Sequence, residues 1–264
     1  MVIDFHTHIF PDELAQRAMK VLYEDVGGIY KPTHDGTLAG LLKTMDTGGI
    51  DISVNMPVVT KPSQTVSTNK WAASICSDRV ISFGGIYPHS ENYRKDIDLV
   101  VSLGLKGLKF HAEYQDFILD DPHMLRVYDY ALSQGLVIMH HGGFDPAFTA
   151  PFRSTPQMFL HVAQEMAGGV IIAAHLGGHD QWDDVEDLLA GSSIYLDTSM
   201  GFQYYDHDQF LRIVEKHGAE KILFASDSPW SDVTAELQVL RSLALTEAEF
   251  DLITSANARR ILGL

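Results

Sequence analysis

Two histidines two residues apart, His6 and His8, follow the strand-like run Val2-Ile3-Asp4-Phe5. In an extended strand residues i and i+2 share a face, so the two imidazoles can converge on one point, as a pair of metal ligands must. His-x-His alone is a common pattern. Further along, groups able to bind metal or carry protons stand at the ends of other apolar runs: Lys109 and His111, His140, His175, and Asp227. Neutral imidazoles with one carboxylate suit Zn²⁺, Mn²⁺ or Fe²⁺, whereas Mg²⁺ and Ca²⁺ prefer mostly oxygen. Zinc is the expected ion, and water bound to it would ionise near neutral pH and serve as a nucleophile.

The elements that must position these groups can be read from periodicity. Apolar runs at 2–8, 52–56, 80–86, 107–111, 136–140, 170–175, 194–197 and 221–227 predict strands. Between them, 3.6-residue spacing predicts helices, among them 122–132 behind Asp121-Pro122, 156–166 behind Thr155-Pro156, and 208–217. Three more helices close the chain, the middle one opened by the capping box Thr246-x-x-Glu249. Strand–helix alternation with near-continuous apolar strands implies a parallel sheet, and eight such units favour a (β/α)8 TIM barrel, an α/β fold. An open doubly wound sheet is disfavoured, since no Gly-x-Gly-x-x-Gly follows the first strand. In a barrel the carboxyl ends of all strands meet at one mouth, so the scattered histidines become neighbours there. No linker or composition shift divides the chain, and residues 1–264 read as one domain.

Composition sets limits on function. A formal charge of −16 repels nucleic acid and anionic membrane surfaces. No apolar stretch is long enough for a membrane span, and the N-terminus lacks the basic start and apolar run of a signal peptide, so a cytoplasmic protein is expected. A single cysteine, Cys76, excludes an internal disulfide and a thiolate metal cluster; it reads as a small packed helix residue. His34, His89, His123, His161, His207 and His217 fall in loops or helices and read as surface residues.

The motifs Asp4-Phe5-His6-Thr7-His8, Gly107-Leu108-Lys109-Phe110-His111, His140-x-Gly-Gly, Ala174-His175-Leu176-Gly177-Gly178, Ser226-Asp227-Ser228-Pro229 and Asn257-Ala258-Arg259-Arg260-Ile261-Leu262 together resemble the amidohydrolase superfamily. Within it they are similar to the amidohydrolase-related group that includes aminocarboxymuconate-semialdehyde decarboxylase. The resemblance covers the whole chain. It implies one divalent metal held by His6, His8, His140 and Asp227, with His175 as acid/base beside the bound water or substrate. Asp227 would touch metal and also accept a proton.

Lys109 is expected either as a free ammonium that meets a substrate carboxylate or as a carbamate bridging a second metal; the free form is favoured because the resembled group is usually mononuclear. An ion pair with Glu113 or Asp116 is the bland alternative. His111 could touch substrate or support a ligand, and His141 is expected to turn away from the barrel axis. Arg153 could clamp an anionic substrate or form a surface ion pair. Tyr114, Phe144, Trp182 and Trp230 could line the pocket or cap the mouth. The leading expectation is hydrolysis of a small amide, lactone or ester by metal-activated water, with His175 and Asp227 moving protons. Non-oxidative decarboxylation or hydration of a small carboxylic acid is the alternative. The chain is shorter than expected for the decarboxylases, which tilts the reading toward hydrolysis. By family habit a homodimer is expected.

Overall fold

Strands form where the apolar runs stand, with helices between them, in a computed structural model that describes residues 1–166 and 168–264. The order is β1 (Ile3–Thr7), α1 (Asp12–Asp25), α2 (Leu38–Gly48), β2 (Ile52–Asn55), α3 (Thr65–Ser74), β3 (Val80–Ser82), α4 (Tyr93–Ser102) and β4 (Gly107–Phe110). It continues with α5 (Pro122–Ser133), β5 (Val137–His140), α6 (Pro156–Glu165), β6 (Ile171–Ala173), the single turn α7 (Trp182–Asp184) and β7 (Tyr195–Asp197). The chain closes with α8 (His207–His217), β8 (Ile222–Leu223), α9 (Val233–Ser242), α10 (Glu247–Asp251) and α11 (Asn257–Leu262). Caps follow local chemistry: the side chains of Thr37, Asp121, Thr155 and Asp206 accept from backbone N–H groups at the starts of α2, α5, α6 and α8. The Thr246–Glu249 capping box opens α10.

All strand pairs are parallel, in the order β1-β2-β3 and β4-β5-β6-β7-β8. The two sheets meet at two irregular seams rather than in a continuous ladder. Between β3 and β4 the bridge Gly84–Leu108 is supported by Gly84 N to Gly107 O at 2.8 Å and Lys109 N to Gly84 O at 2.9 Å. Between β8 and β1 the bridge Thr7–Ser228 is joined by Phe5 N to Phe224 O at 3.0 Å and Asp227 N to His6 O at 2.8 Å. The TIM-barrel expectation therefore holds.

Alternation along the strands sorts side chains into two cores. Ile3, Phe5, Val54, Phe83, Val137, Met139, Ile172 and Leu223 fill the barrel interior, closed at its N-terminal end by Ala258 and Leu262 of α11. Leu108, Phe110, Ile138, Ala173, Leu196 and Phe224 face outward against helices. Full burial of each such side chain contributes about 1.5–3 kcal/mol before entropy is counted. Two expectations fail here. Cys76 lies just past α3 and is exposed rather than packed. His217, read as a surface residue, is buried at the end of α8, where its Nδ1 accepts from Gly191 N at 3.1 Å.

Interior space at the β3–β4 seam is tight. A Cβ on Gly107 would stand 2.5 Å from both the Phe83 ring and the Val137 carbonyl oxygen. Gly107→Ala is expected to destabilise the protein by about 1–3 kcal/mol, the usual cost of overpacking. A lowered urea midpoint at unchanged slope would show it, and an unchanged midpoint would contradict the packing described.

Candidate metal centre

Three local devices aim polar groups into the mouth. Ile3 and Phe5 face the interior, so strict alternation would send His6 outward; the β1–β2 pairing shifts register between Asp4 and Thr7, and His6 turns inward. After β6, His175 and Leu176 adopt left-handed backbone with φ of 57° and 54°, and Asp227 after β8 does so with φ of 63°. Such residues cost about 1–3 kcal/mol each and gather where function holds them in place. Lys109 and His111 reach the mouth by plain alternation along β4 from Gly107.

His6 Nε2, His8 Nε2 and Asp227 Oδ1 form a triangle with sides of 3.1, 3.3 and 3.0 Å. Donors bound to one ion at about 2.0–2.2 Å stand roughly 3 Å apart, so the spacing fits a single divalent metal. The donor chemistry fits as well. Asp197 Oδ2 lies 2.9 Å from His6 Nδ1, which places the ring proton there and leaves Nε2 free for an ion. Lys109 Nζ lies 2.9 Å from the same Nε2, so the lone pair it now meets is the one a metal would take.

His175 is anchored beside this triangle. Its backbone N–H donates to Asp197 Oδ1 at 2.9 Å, its Nδ1 lies 3.0 Å from Ser199 Oγ, and its Nε2 is 3.1 Å from His141 Nδ1. His141 stacks on His111 with ring centroids 4.1 Å apart, and His111 Nε2 lies 3.2 Å from Asp145 Oδ2. His111, His141 and Asp145 form a second group close enough to share a cation.

Burial dominates the electrostatics. It lowers His6 and His141 well below the usual imidazole range and His175 and His179 to about 4, so these rings are neutral at pH 7. Burial also lowers Lys109 to about 8, with Asp227 and Asp197 partly opposing, and the amine remains mostly protonated at neutral pH. Burial works against ionisation of Asp227, yet the hydrogen bond from His8 Nε2 at 3.0 Å helps to hold the carboxyl well below its ordinary value. Burial raises Asp197, and it raises Asp4 to about 7 despite hydrogen bonds from Ser226.

Of the groups read from the sequence, His6, His8, Lys109, His111, His175 and Asp227 come together at the mouth, lining one cavity of about 770 Å³. His140 does not. Val137 and Met139 point inward, so His140 points outward, stacked on Phe110 at 5.1 Å and edge-on to Tyr128, and both ring nitrogens lack hydrogen-bond partners among the described residues. The inward imidazole of the pair is His141, the reverse of the expected orientation. Of the two readings of Arg153, the surface ion pair is the one seen: its guanidinium pairs with the exposed Asp116 at 2.9 Å, and it does not line the cavity. Lys109 pairs with neither Glu113 nor Asp116. Tyr114, Phe144 and Trp230 line the cavity, while Trp182 Nε1 donates to the His175 carbonyl at 3.1 Å.

Asp197, Asp145, Ser199 and His179 join the site without a role among the sequence expectations. Asp197 carried the same signal as the histidines, a polar residue ending a buried strand. His179 follows Gly177-Gly178 and lines the cavity. The loops after β5 and β6 touch there: His179 N donates to Gly142 O at 2.8 Å, and a Cβ on Gly143 would meet His179 N at 2.3 Å. Only glycine permits that approach.

A family profile described as Amidohydrolase matches residues 3–264. No curated protein sequence matches the chain. Among solved structures, 2,6-dihydroxybenzoate decarboxylase from Rhizobium is similar with a TM-score of 0.69 and 16% identity, covering 99% of this chain and 98% of that one. A manganese-bound 5-carboxyvanillate decarboxylase from Novosphingobium aromaticivorans has a TM-score of 0.73 and 14% identity, covering 100% and 97%. A probable 2-pyrone-4,6-dicarboxylic acid hydrolase from Acinetobacter baumannii has a TM-score of 0.67 and 13% identity, covering 100% and 99%. At these identities the likeness is one of fold.

The buried imidazoles make stability depend on pH. His6, His140, His141, His175, His179 and His217 titrate lower folded than unfolded, so their contribution is present above about pH 6.5 and is lost as pH falls toward 4. Asp4 and Glu236, raised to about 7, act in the opposite sense over the same window but are outnumbered. The urea midpoint of chelator-treated protein is expected to drop between pH 7 and pH 4.5. A flat or rising profile would contradict the neutral histidine cluster.

Proposed function

Because the chain belongs to the amidohydrolase family, we propose that it is a metal-dependent enzyme that decarboxylates a small, apolar-bodied carboxylic acid without oxidation. The observation that carries this reading is the buried Lys109 ammonium beside the His6–His8–Asp227 triangle, at the inner end of a largely apolar cavity. A carboxylate entering there finds positive charge at its head and loses water around it. Desolvation raises the energy of a carboxylate more than that of the charge-dispersed state in which CO₂ departs. The decarboxylase folds, matched over nearly the whole of both chains, support the same reading.

His6, His8 and Asp227 would hold the ion, zinc by donor type; the manganese in one neighbour keeps that metal in play. A divalent metal would supply a Lewis-acid point that fixes and polarises a carboxylate oxygen. Lys109 orients the acid by its charge. As the bond to the carboxylate carbon breaks, the electron pair remains on the substrate carbon, which must take a proton. Both rings are neutral at rest, so His175 can deliver it only by relaying a proton taken from solvent, which reaches its Nε2 through His141 Nδ1. Asp197 and Ser199 hold His175 at its backbone and Nδ1.

Hydrolysis of an amide, lactone or ester is a second reading, favoured by the neutral His175–His141 pair, which could accept a proton from water. Asp227, held strongly ionised, is a weak base for that role. The chain's −16 charge supports a small-molecule substrate over nucleic acid or an anionic membrane; cleavage of DNA by the metal-loaded protein would contradict this.

Release of CO₂ from a panel of hydroxybenzoates and related acids, set against ester and lactone hydrolysis, separates the two reactions; turnover of lactones alone would reverse the preference. His6→Ala and Asp227→Ala are expected to lose bound metal, and retention by both would remove the proposed centre. Lys109→Met is expected to keep one equivalent of metal while KM for an anionic acid rises about tenfold or more, the scale of a lost charge-assisted contact. Loss of metal from that variant, with two equivalents in the parent, would instead indicate a lysine carbamate between two ions.

A further inference from the structure

The cavity is far larger than its chemistry needs. A space of roughly 150 Å³ takes a benzene ring, whereas this cavity measures about 770 Å³. The surplus runs outward from the metal triangle between α1 and α3. Its walls are mostly apolar, built from Leu14, Ala18, Val21 and Leu22 of α1, Val58 of the loop after β2 and Trp71 of α3, with Arg17 and Asp25 of α1 and Thr68 of α3 among them.

Helix α1 explains this wall. Ala15 and Met19 are buried against the body of the protein and hold the helix in place. Leu14, Ala18, Val21 and Leu22 stand at i, i+4, i+7 and i+8, a second apolar stripe on a helix whose docking already uses another. Leu14 and Val21 remain 52% and 47% exposed. The stripe lines the same cavity as His6, His8, Lys109 and Asp227, so an occupant of one end is continuous with the other.

We infer that the substrate is an amphiphilic acid whose carboxylate meets Lys109 and the metal triangle and whose apolar arm, several carbons long, lies along the α1 stripe. The inference rests on the carboxylate reading above and adds the arm. Continuity of one cavity argues for an arm of the substrate over a separate partner. Burying methylenes along such a wall strengthens binding by about two- to fourfold each, the upper figure applying to full burial.

The test is calorimetric titration of the metal-loaded protein with straight-chain carboxylates from butanoate to dodecanoate, kept below their micellar concentrations. Affinity is expected to rise about two- to fourfold per methylene and then level off once the groove is full. Ala18→Arg, on a half-covered helix position, is expected to flatten the rise, while Leu188→Arg, an exposed site away from the cavity, leaves it intact. Equal affinity across the series would overturn the arm and leave the carboxylate reading standing. Absence of binding by every acid would overturn both. A dimer that Val21→Arg dissociates, with the slope unchanged, would assign the stripe to a second copy of the chain and likewise overturn the arm.

Discussion

Asp197 lies fully buried at the end of β7, and one of its oxygens takes the Nδ1 proton of His6 at 2.9 Å. Its other oxygen receives the backbone N–H of His175 and the hydroxyl of Ser199. A single carboxylate thus fixes the tautomer of a candidate metal ligand and the position of the proposed proton carrier. Without it His6 could present either nitrogen, and the left-handed turn at His175 would lose the contact that offsets its strain. The orientation of His6 within the donor triangle and the placement of His175 both follow from that anchor.

The electrostatic character of the mouth differs from that of the surface. The chain as a whole carries −16, yet the cavity floor presents an ammonium and neutral imidazoles beside the ionised Asp227 and Asp145. Burial produces this contrast by suppressing protonation of the rings while leaving Lys109 mostly charged. An anionic molecule is then disfavoured by the long-range field and favoured over the last few ångströms. Salt screens the first effect much more than the second.

Much of this was legible in the residue pattern. The eight apolar runs with helices between them gave the barrel, and convergence of strand ends brought His6, His8, Lys109, His175 and Asp227 together without any knowledge of side-chain conformation. Facing was less accessible. His140 and His141 are adjacent histidines at the end of β5, and a choice of one residue in phase decides which enters the mouth; the structure settles it through Val137 and Met139 pointing inward. At β1 and β6 the opposite problem arises, because a register shift and two left-handed residues override alternation. Arg153 was unreadable for another reason, since the direction of a long side chain in a loop depends on neighbours such as Asp116 that periodicity does not locate.

The donor triangle also straddles the seam between the first and last strands, with His6 and His8 on one bank and Asp227 on the other. That junction is stitched by isolated backbone hydrogen bonds instead of a ladder. An ion seated there would be a clasp as well as a reagent, and part of its binding free energy would become closure free energy of the ring. Copies lacking the ion would breathe at this junction and offer their backbone to proteases. Metal supply would then govern how long the protein survives in addition to how fast it works.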